Sequence, residues 1–105
     1  MPAIAAQGLE LHDAQLTGVE VRPTTREVAV FVRAFVGVAP NTRTKLTVLF
    51  KGVRQFTQNM DFLAMEDHSS AGNINYWSPA LQAGTTYIYL VDGVIVVEHE
   101  SIAIT

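Results

Sequence analysis

Three histidines are the side chains of this chain best suited to metal binding or acid–base chemistry. They are His12, His68 and His99, and each has an acidic neighbour. A catalytic zinc usually takes three protein ligands and one open position, so a metal-dependent enzyme would need all three to meet in the fold. On a strand, however, Glu98 and Glu100 share one face and His99 points to the other. Because the chain also lacks a spaced metal-ligand motif, we predict no metal site.

The sequence contains no recognisable motif for nucleophilic catalysis or nucleotide binding. None of the four serines lies in a Gly-x-Ser-x-Gly elbow, and there is no phosphate-binding glycine loop or dinucleotide fingerprint. His12 and Asp13 could form an imidazole oriented by a carboxylate, but neighbouring residues of an extended chain point in opposite directions. The absence of cysteine excludes disulfides and thiolate ligands. We therefore predict a protein that is not an enzyme and needs no cofactor.

Aromatic side chains are better candidates for a binding site. Tyr76 and Trp77 are adjacent, whereas Tyr87 and Tyr89 are two residues apart and share one face of a strand. Exposed tyrosine and tryptophan offer rigid, amphipathic contact area that suits protein or carbohydrate partners. The candidate binding residues are therefore Tyr76, Trp77, Tyr87 and Tyr89. The alternative is that Trp77 fills the core and the tyrosines cover it.

The segments that must position these side chains read as β-strands separated by turn residues. Alternating polarity and β-propensity predict strands at 15–22, 27–37, 44–53 and 73–77, a loop at 38–43, and a final hairpin over 85–105. The hairpin is predicted from Asp92-Gly93, which suits a type I′ turn because both central residues need positive φ. Residues 60–66 suit one or two helical turns capped by Asp61.

Two of these strands are apolar on both faces. The segment 27–37 has two mostly apolar rows, which predicts a central strand covered on both sides. Arg33 is the exception, and we expect it to reach an edge, an interface or a carboxylate partner. Val94 to Val97 are all aliphatic, so one face of that strand can pack in the core while the other needs a helix, a second sheet or a partner chain.

The predicted fold class is all-β. The chain has 105 residues, which suits one domain, and we predict a single β domain over 1–105 with an N-terminal arm at 1–13. Successive turn signals without long helical segments favour antiparallel pairing. The prediction is an antiparallel β-sandwich, or a partly closed barrel, of about six to seven strands with at most one short helical turn.

Composition restricts the class of partner. Charged residues make up 16% and hydrophobic residues 49%, and a small domain so poor in charge is expected to hide an apolar face, so we predict a homodimer. The basic residues are scattered, which argues against nucleic-acid binding. No apolar run approaches the roughly 20 residues of a membrane helix, and the first residues lack the basic start of a secretory signal. We expect no membrane association and a cytoplasmic location.

One short motif and the order of strands carry a family resemblance. Leu11-His12-Asp13-Ala14, followed by alternating strands and then Leu49-Phe50-Lys51-Gly52-Val53, is similar to small uncharacterised bacterial β proteins that open with a Leu-His-Asp stretch. Some of those proteins resemble immunity proteins of bacterial toxin systems. The resemblance implies a β domain that binds another protein, and it implies no activity.

These observations predict a non-enzymatic binding or protein-interaction module, with a second copy of itself as the first partner. One alternative is a carbohydrate or small-ligand binding module that uses the same aromatic residues. The other alternative is a metal-dependent enzyme that uses the three histidines.

Overall fold

Side chains alternate between the two faces of a strand, and in this protein the apolar rows of two sheets pack against each other. The computed structural model describes residues 5–36, 42–68 and 70–105. The described elements are β1 (Gln15–Arg22), β2 (Glu27–Phe35), β3 (Arg43–Lys51), β4 (Gln55–Met60), α1 (Phe62–Asp67), β5 (Ile74–Ser78), β6 (Gly84–Leu90), β7 (Gly93–His99) and β8 (Ser101–Ile104). Sheet A has the order β1-β2-β3-β8, and sheet B has the order β4-β7-β6-β5.

This architecture confirms the predicted all-β sandwich. Neighbouring strands pair antiparallel in both sheets, and the described strands do not close into a barrel. The core consists of aliphatic side chains from the facing rows, including Val30 and Val48 of sheet A and Ile88 and Ile95 of sheet B. Burial of each such side chain stabilises the fold by about 1.5–3 kcal/mol relative to exposure.

The prediction that β2 is central is confirmed, but the prediction that both of its faces are covered is wrong. Its inner row, Val28 to Ala34 in steps of two, is buried. The outer row keeps Phe31 and Phe35 partly exposed and Arg33 exposed. A sandwich of two sheets covers only the inner face of each, so Phe31 and Phe35 remain partly at the surface, whereas Ala29 of the same row is buried. Of the predicted loop at 38–43, residues 38–41 lie outside the described residues.

The end of the chain forms three strands, where the sequence predicted two over 85–105. β6 and β7 make the hairpin, and the chain then crosses to sheet A, where β8 pairs with β3. The crossing occurs at Glu100, whose backbone N–H donates to the carbonyl of Lys51 at 3.0 Å. Ile104 then enters the core beside Val48. The crossing explains why the described residues contain eight strands where six to seven were expected.

The segment before β1 is part of the sandwich. A short 3-10 helix spans Ala6–Gly8, and the following Leu9 and Leu11 are buried in the core. The predicted arm at 1–13 is therefore packed against the sheets over its described part, because these leucines fill space between them. Residues 1–4 lie outside the described residues.

Arg43 ties this segment to the connection between α1 and β5. Its guanidinium donates hydrogen bonds to the backbone carbonyls of Asp13, Ser70 and Ala71. The same group lies 4.7 Å from the ring centre of Phe35, a cation–π distance. One side chain thus satisfies carbonyl groups from two loops that are far apart in sequence.

The helical prediction at 60–66 is confirmed as α1. The Asp61 carboxylate accepts a hydrogen bond from the backbone N–H of Ala64 at 3.0 Å, as an N-cap residue does. This hydrogen bond lowers the pKa of Asp61, because it favours the ionised carboxylate. No helix in the described part of the chain has the length and apolar character needed to cross a membrane.

The turn of the final hairpin lies one residue earlier than predicted. Leu90 pairs with Gly93, so Val91 and Asp92 are the turn residues. Only Asp92 has a positive φ, +57°, which Asp tolerates better than most residues. Gly93 is needed for another reason. A Cβ at this position would lie 2.2 Å from the carbonyl oxygen of Asn59 on the neighbouring strand β4.

We predict that Gly93→Ala and Gly93→Val each reduce the free energy of unfolding by about 1–3 kcal/mol. The physical reason is the collision of any Cβ with the Asn59 carbonyl, which forces β4 away from β7. Gly8→Ala is the matched control, because no atom lies within 4 Å of a Cβ at that position. Urea denaturation of the variants measures the effect. Equal midpoints for Gly93→Ala and wild type would contradict the close approach.

Candidate functional site

Strand register places three tyrosines on the outer face of sheet B. Tyr76 of β5 pairs with Tyr89 of β6, and Tyr89 pairs with Val94 of β7. In the next row of the same face, Tyr87 pairs with Val96. We call this surface, made of Tyr76, Tyr87, Tyr89, Val94 and Val96, the tyrosine face. Three of the predicted binding residues therefore meet at one place.

The tyrosine rings stack on one another along this face. The ring centres of Tyr76 and Tyr89 are 4.6 Å apart with planes inclined by 26°, and those of Tyr87 and Tyr89 are 6.0 Å apart with planes inclined by 10°. Tyr89 thus lies between the other two rings. Tyr76 is 54% exposed and Tyr87 is 38% exposed. Stacked rings support each other's orientation, so the row presents a preformed surface to solvent.

Trp77 does not belong to this surface, so three of the four candidate binding residues lie on one face and the fourth does not. It is buried, and its indole N–H donates to the backbone carbonyl of Leu9 at 2.9 Å. The register of β5 shifts between Ile74 and Tyr76, and such a bulge inserts an extra residue that reverses the alternation. Tyr76 therefore points outward and Trp77 points into the core. Trp77 therefore packs in the core, as the alternative interpretation of the sequence expected.

The valines of the tyrosine face account for the apolar run of β7. Ile95 and Val97 are fully buried in the core, whereas Val94 and Val96 are only partly covered on the outer face. The second apolar face that the sequence predicted thus exists. At one end of this face, the Arg54 guanidinium donates to the Glu98 carboxylate at 3.0 Å, so those two charges compensate each other.

His99 lies in the core, although the residues on either side of it, Glu98 and Glu100, are acidic. β7 is an interior strand of sheet B. Nε2 of His99 and Oγ1 of Thr86 share a hydrogen bond of 2.6 Å, and the imidazole lies against the ring of Phe50 with centres 5.0 Å apart. Burial lowers the pKa of His99, because desolvation penalises the charged imidazolium.

His12 lies at the surface, in a local arrangement that strand alternation did not predict. Its Nδ1 is 2.7 Å from the carbonyl oxygen of Asn75, and its Nε2 is 3.3 Å from the carboxylate of Asp13. The expectation that His12 and Asp13 point in opposite directions is wrong, because Asp13 has φ of +62° and turns the chain. Both imidazole nitrogens thus face oxygen atoms.

The structure does not bring the three histidines together. His99 is buried between the sheets, whereas His12 and His68 are exposed. Across residues 5–36, 42–68 and 70–105, no group of three or more His, Asp or Glu side chains is arranged to hold a metal ion.

A cleft of about 400 Å³ adjoins the tyrosine face at Tyr76. Its walls include Leu9, Glu10, His12 and Pro79. Sequence reasoning missed this cleft, because its walls come from segments more than 60 residues apart that meet through the Trp77–Leu9 hydrogen bond. Neither segment carries a sequence motif that predicts the contact between Trp77 and Leu9.

Comparisons of the chain with protein-family models, with curated proteins and with solved structures found no match.

We predict that His99 makes the protein less stable at acidic pH. In the unfolded chain, the imidazole of His99 becomes protonated below pH about 6.5. In the folded protein its pKa is lower, so protonation needs a more acidic pH. The unfolded state therefore binds more protons, and the free energy of unfolding falls as pH drops below about 6.5, by at most about 1.4 kcal/mol per pH unit. Above that pH the contribution of His99 is fully present.

Denaturation of wild type, His99→Gln and His68→Gln between neutral and acidic pH measures this contribution. The His99→Gln curve should be flatter than that of wild type, and the curve of the exposed His68→Gln variant should run parallel to wild type. Parallel curves for wild type and His99→Gln would contradict the account of the buried imidazole.

Proposed function

We propose that this protein is a non-enzymatic protein-binding module that contacts its partner through the tyrosine face, and that its first partner is a second copy of itself. The observation that carries the proposal is the stacked row of Tyr76, Tyr89 and Tyr87 beside Val94 and Val96 on the outside of sheet B. Tyrosine is enriched where proteins meet, since it supplies large contact area at a low cost in side-chain entropy.

Ring orientation favours a protein partner over a carbohydrate. A sugar that stacks on an aromatic side chain needs an open ring face. Tyr89 is stacked with Tyr76 and Tyr87, whose ring centres lie 4.6 Å and 6.0 Å from its own. These contacts occupy part of the aromatic surface that a sugar would need, whereas the tyrosine hydroxyl groups suit the side chains and backbone groups of another protein.

Four considerations support a second copy as the partner. The face is part of a sheet, and two sheets pack well face to face at a separation of about 10 Å. Two charges at one end of the face, Arg54 and Glu98, form an ion pair with each other, so this pair does not oppose association. A two-fold axis would place the same apolar patch on both sides of the interface. The low charge content of the chain, 16%, agrees with a covered face.

We predict that wild type forms dimers with a dissociation constant in the micromolar range. Tyr87→Ser and Tyr76→Ser should each raise this constant by about tenfold or more, since exposed aromatic residues at the centre of a contact dominate its energy. Sedimentation equilibrium over a wide range of protein concentration measures the constants. Thermal denaturation of each variant establishes that the substitution leaves the fold intact.

Val21→Ser is the matched control. Val21 is also an exposed apolar side chain, 45% accessible, but it lies on β1 of sheet A. This variant should dimerise as wild type does. A wild-type protein that stays monomeric at every concentration would contradict self-association. An effect of Val21→Ser equal to that of Tyr87→Ser would place the interface elsewhere. Glycan titration that shifts the tyrosine resonances of a monomer would instead support the carbohydrate alternative.

A further inference from the structure

We propose that a groove on the outer face of sheet A binds a small organic anion, whose carboxylate or phosphate group lies between Arg33 and Lys45. The groove has a volume of about 500 Å³, and its walls include Thr17, Phe31 and Thr47. We call it the cationic groove. It lies on the opposite sheet from the tyrosine face, and the inference does not rest on the proposed function.

Two cations that line the groove lie directly opposite each other on neighbouring strands. Arg33 of β2 and Lys45 of β3 are register partners on the outer face of sheet A. Both side chains are exposed. Like charges that face each other across a strand pair are unfavourable, so this arrangement has a cost in the free protein that an anion would remove.

Neither cation has a hydrogen-bond or ion-pair partner among the described residues. Other arginines of the protein do have one. Arg22 contacts Glu20 and Glu27, and Arg54 contacts Glu98. The sequence predicted that Arg33 would need an edge, an interface or a carboxylate partner. The structure places it on a central strand with no carboxylate beside it. We therefore infer that the partner of Arg33 is an anionic group of another molecule.

Phe31 makes the groove suitable for a ligand with an apolar body. The next register pair on the same outer face is Phe31 and Thr47, two residues along each strand from the two cations. The ring of Phe31 leans over β1, where a Cβ on Gly18 would lie 3.4 Å from it. The Thr17 hydroxyl donates to the Phe31 carbonyl at 3.1 Å, in the segment where β1 shifts register. The ring of Phe31 is thus an apolar neighbour of Arg33 and Lys45 in the groove.

Size and charge together define the ligand class. Pockets for small molecules commonly span about 300–1,000 Å³, and the cationic groove falls within this range. No acidic side chain is among its walls, so the field of the two cations is not cancelled locally. Guanidinium binds carboxylate and phosphate in a bidentate manner. The geometry therefore fits an aromatic or aliphatic compound that carries one such group.

NMR titration of the isotope-labelled protein tests the proposal with four probes at constant ionic strength. Phenyl phosphate and benzoate combine an anionic group with a ring, inorganic phosphate lacks the ring, and benzyl alcohol lacks the charge. We expect phenyl phosphate or benzoate to shift the amide resonances of Arg33, Lys45 and their strand neighbours, with a dissociation constant on the order of 1 mM. Inorganic phosphate and benzyl alcohol should each bind about tenfold more weakly or not at all.

Binding measurements on charge-removing variants show which cations contact the anionic group of the ligand. Arg33→Gln and Lys45→Gln should each weaken binding of phenyl phosphate by about tenfold. Lys51→Gln is the matched control, because Lys51 is an exposed lysine on the outer face of the same strand, and it should leave binding unchanged. The amide spectra of the variants report whether the fold is intact.

Several outcomes would overturn the proposal. One is the absence of shifts around Arg33 and Lys45 with both ring-bearing anions. Another is equal affinity in Arg33→Gln and wild type, and a third is an equal loss of affinity in Lys51→Gln, which would indicate unspecific attraction by surface charge. Binding of benzyl alcohol as tight as that of phenyl phosphate would exclude an anion site.

Discussion

The structure depends on one constraint: each strand of a two-sheet sandwich can bury only one of its two faces. The inner rows, such as Val30 of β2 and Ile95 of β7, satisfy it by forming the core. The larger apolar and charged residues of the outer rows, such as Phe31, Arg33 and Tyr87, remain at least partly at the surface. The tyrosine face of sheet B and the cationic groove of sheet A are these outer rows, so the two proposed contact surfaces follow from the same alternation that builds the core.

Local departures from regular backbone geometry decide which residues reach the two surfaces. The register shift in β5 turns Tyr76 outward and Trp77 inward, where the indole N–H binds Leu9. A second shift in β1 accompanies the hydrogen bond from Thr17 to Phe31. Bulges reverse or re-aim side chains at the cost of one unpaired residue. In this protein both bulges lie on strands at the edge of a sheet and beside a proposed contact surface.

Alternation, β-propensity and capping were sufficient to predict the fold class, the first strand at 15–22 and the helix capped by Asp61. Alternation also predicted that Tyr87 and Tyr89 lie on one face of a strand. These patterns could not predict the orientation of Trp77, since a single inserted residue reverses it. The burial of His99 was missed because its neighbours Glu98 and Glu100 are charged. Arg33 and Lys45 meet only through the register of β2 and β3, which no local pattern specifies.

The most direct test of the central claim compares the solvent exposure of tyrosine rings at low and at high protein concentration. A soluble paramagnetic agent broadens the NMR signals of side-chain protons that it can reach. The account predicts that the ring signals of Tyr76 and Tyr87 are strongly broadened in dilute protein and become protected in concentrated protein, while Val21 stays equally exposed. Equal broadening of the tyrosine signals at both concentrations, or protection that appears at Val21 instead, would contradict it.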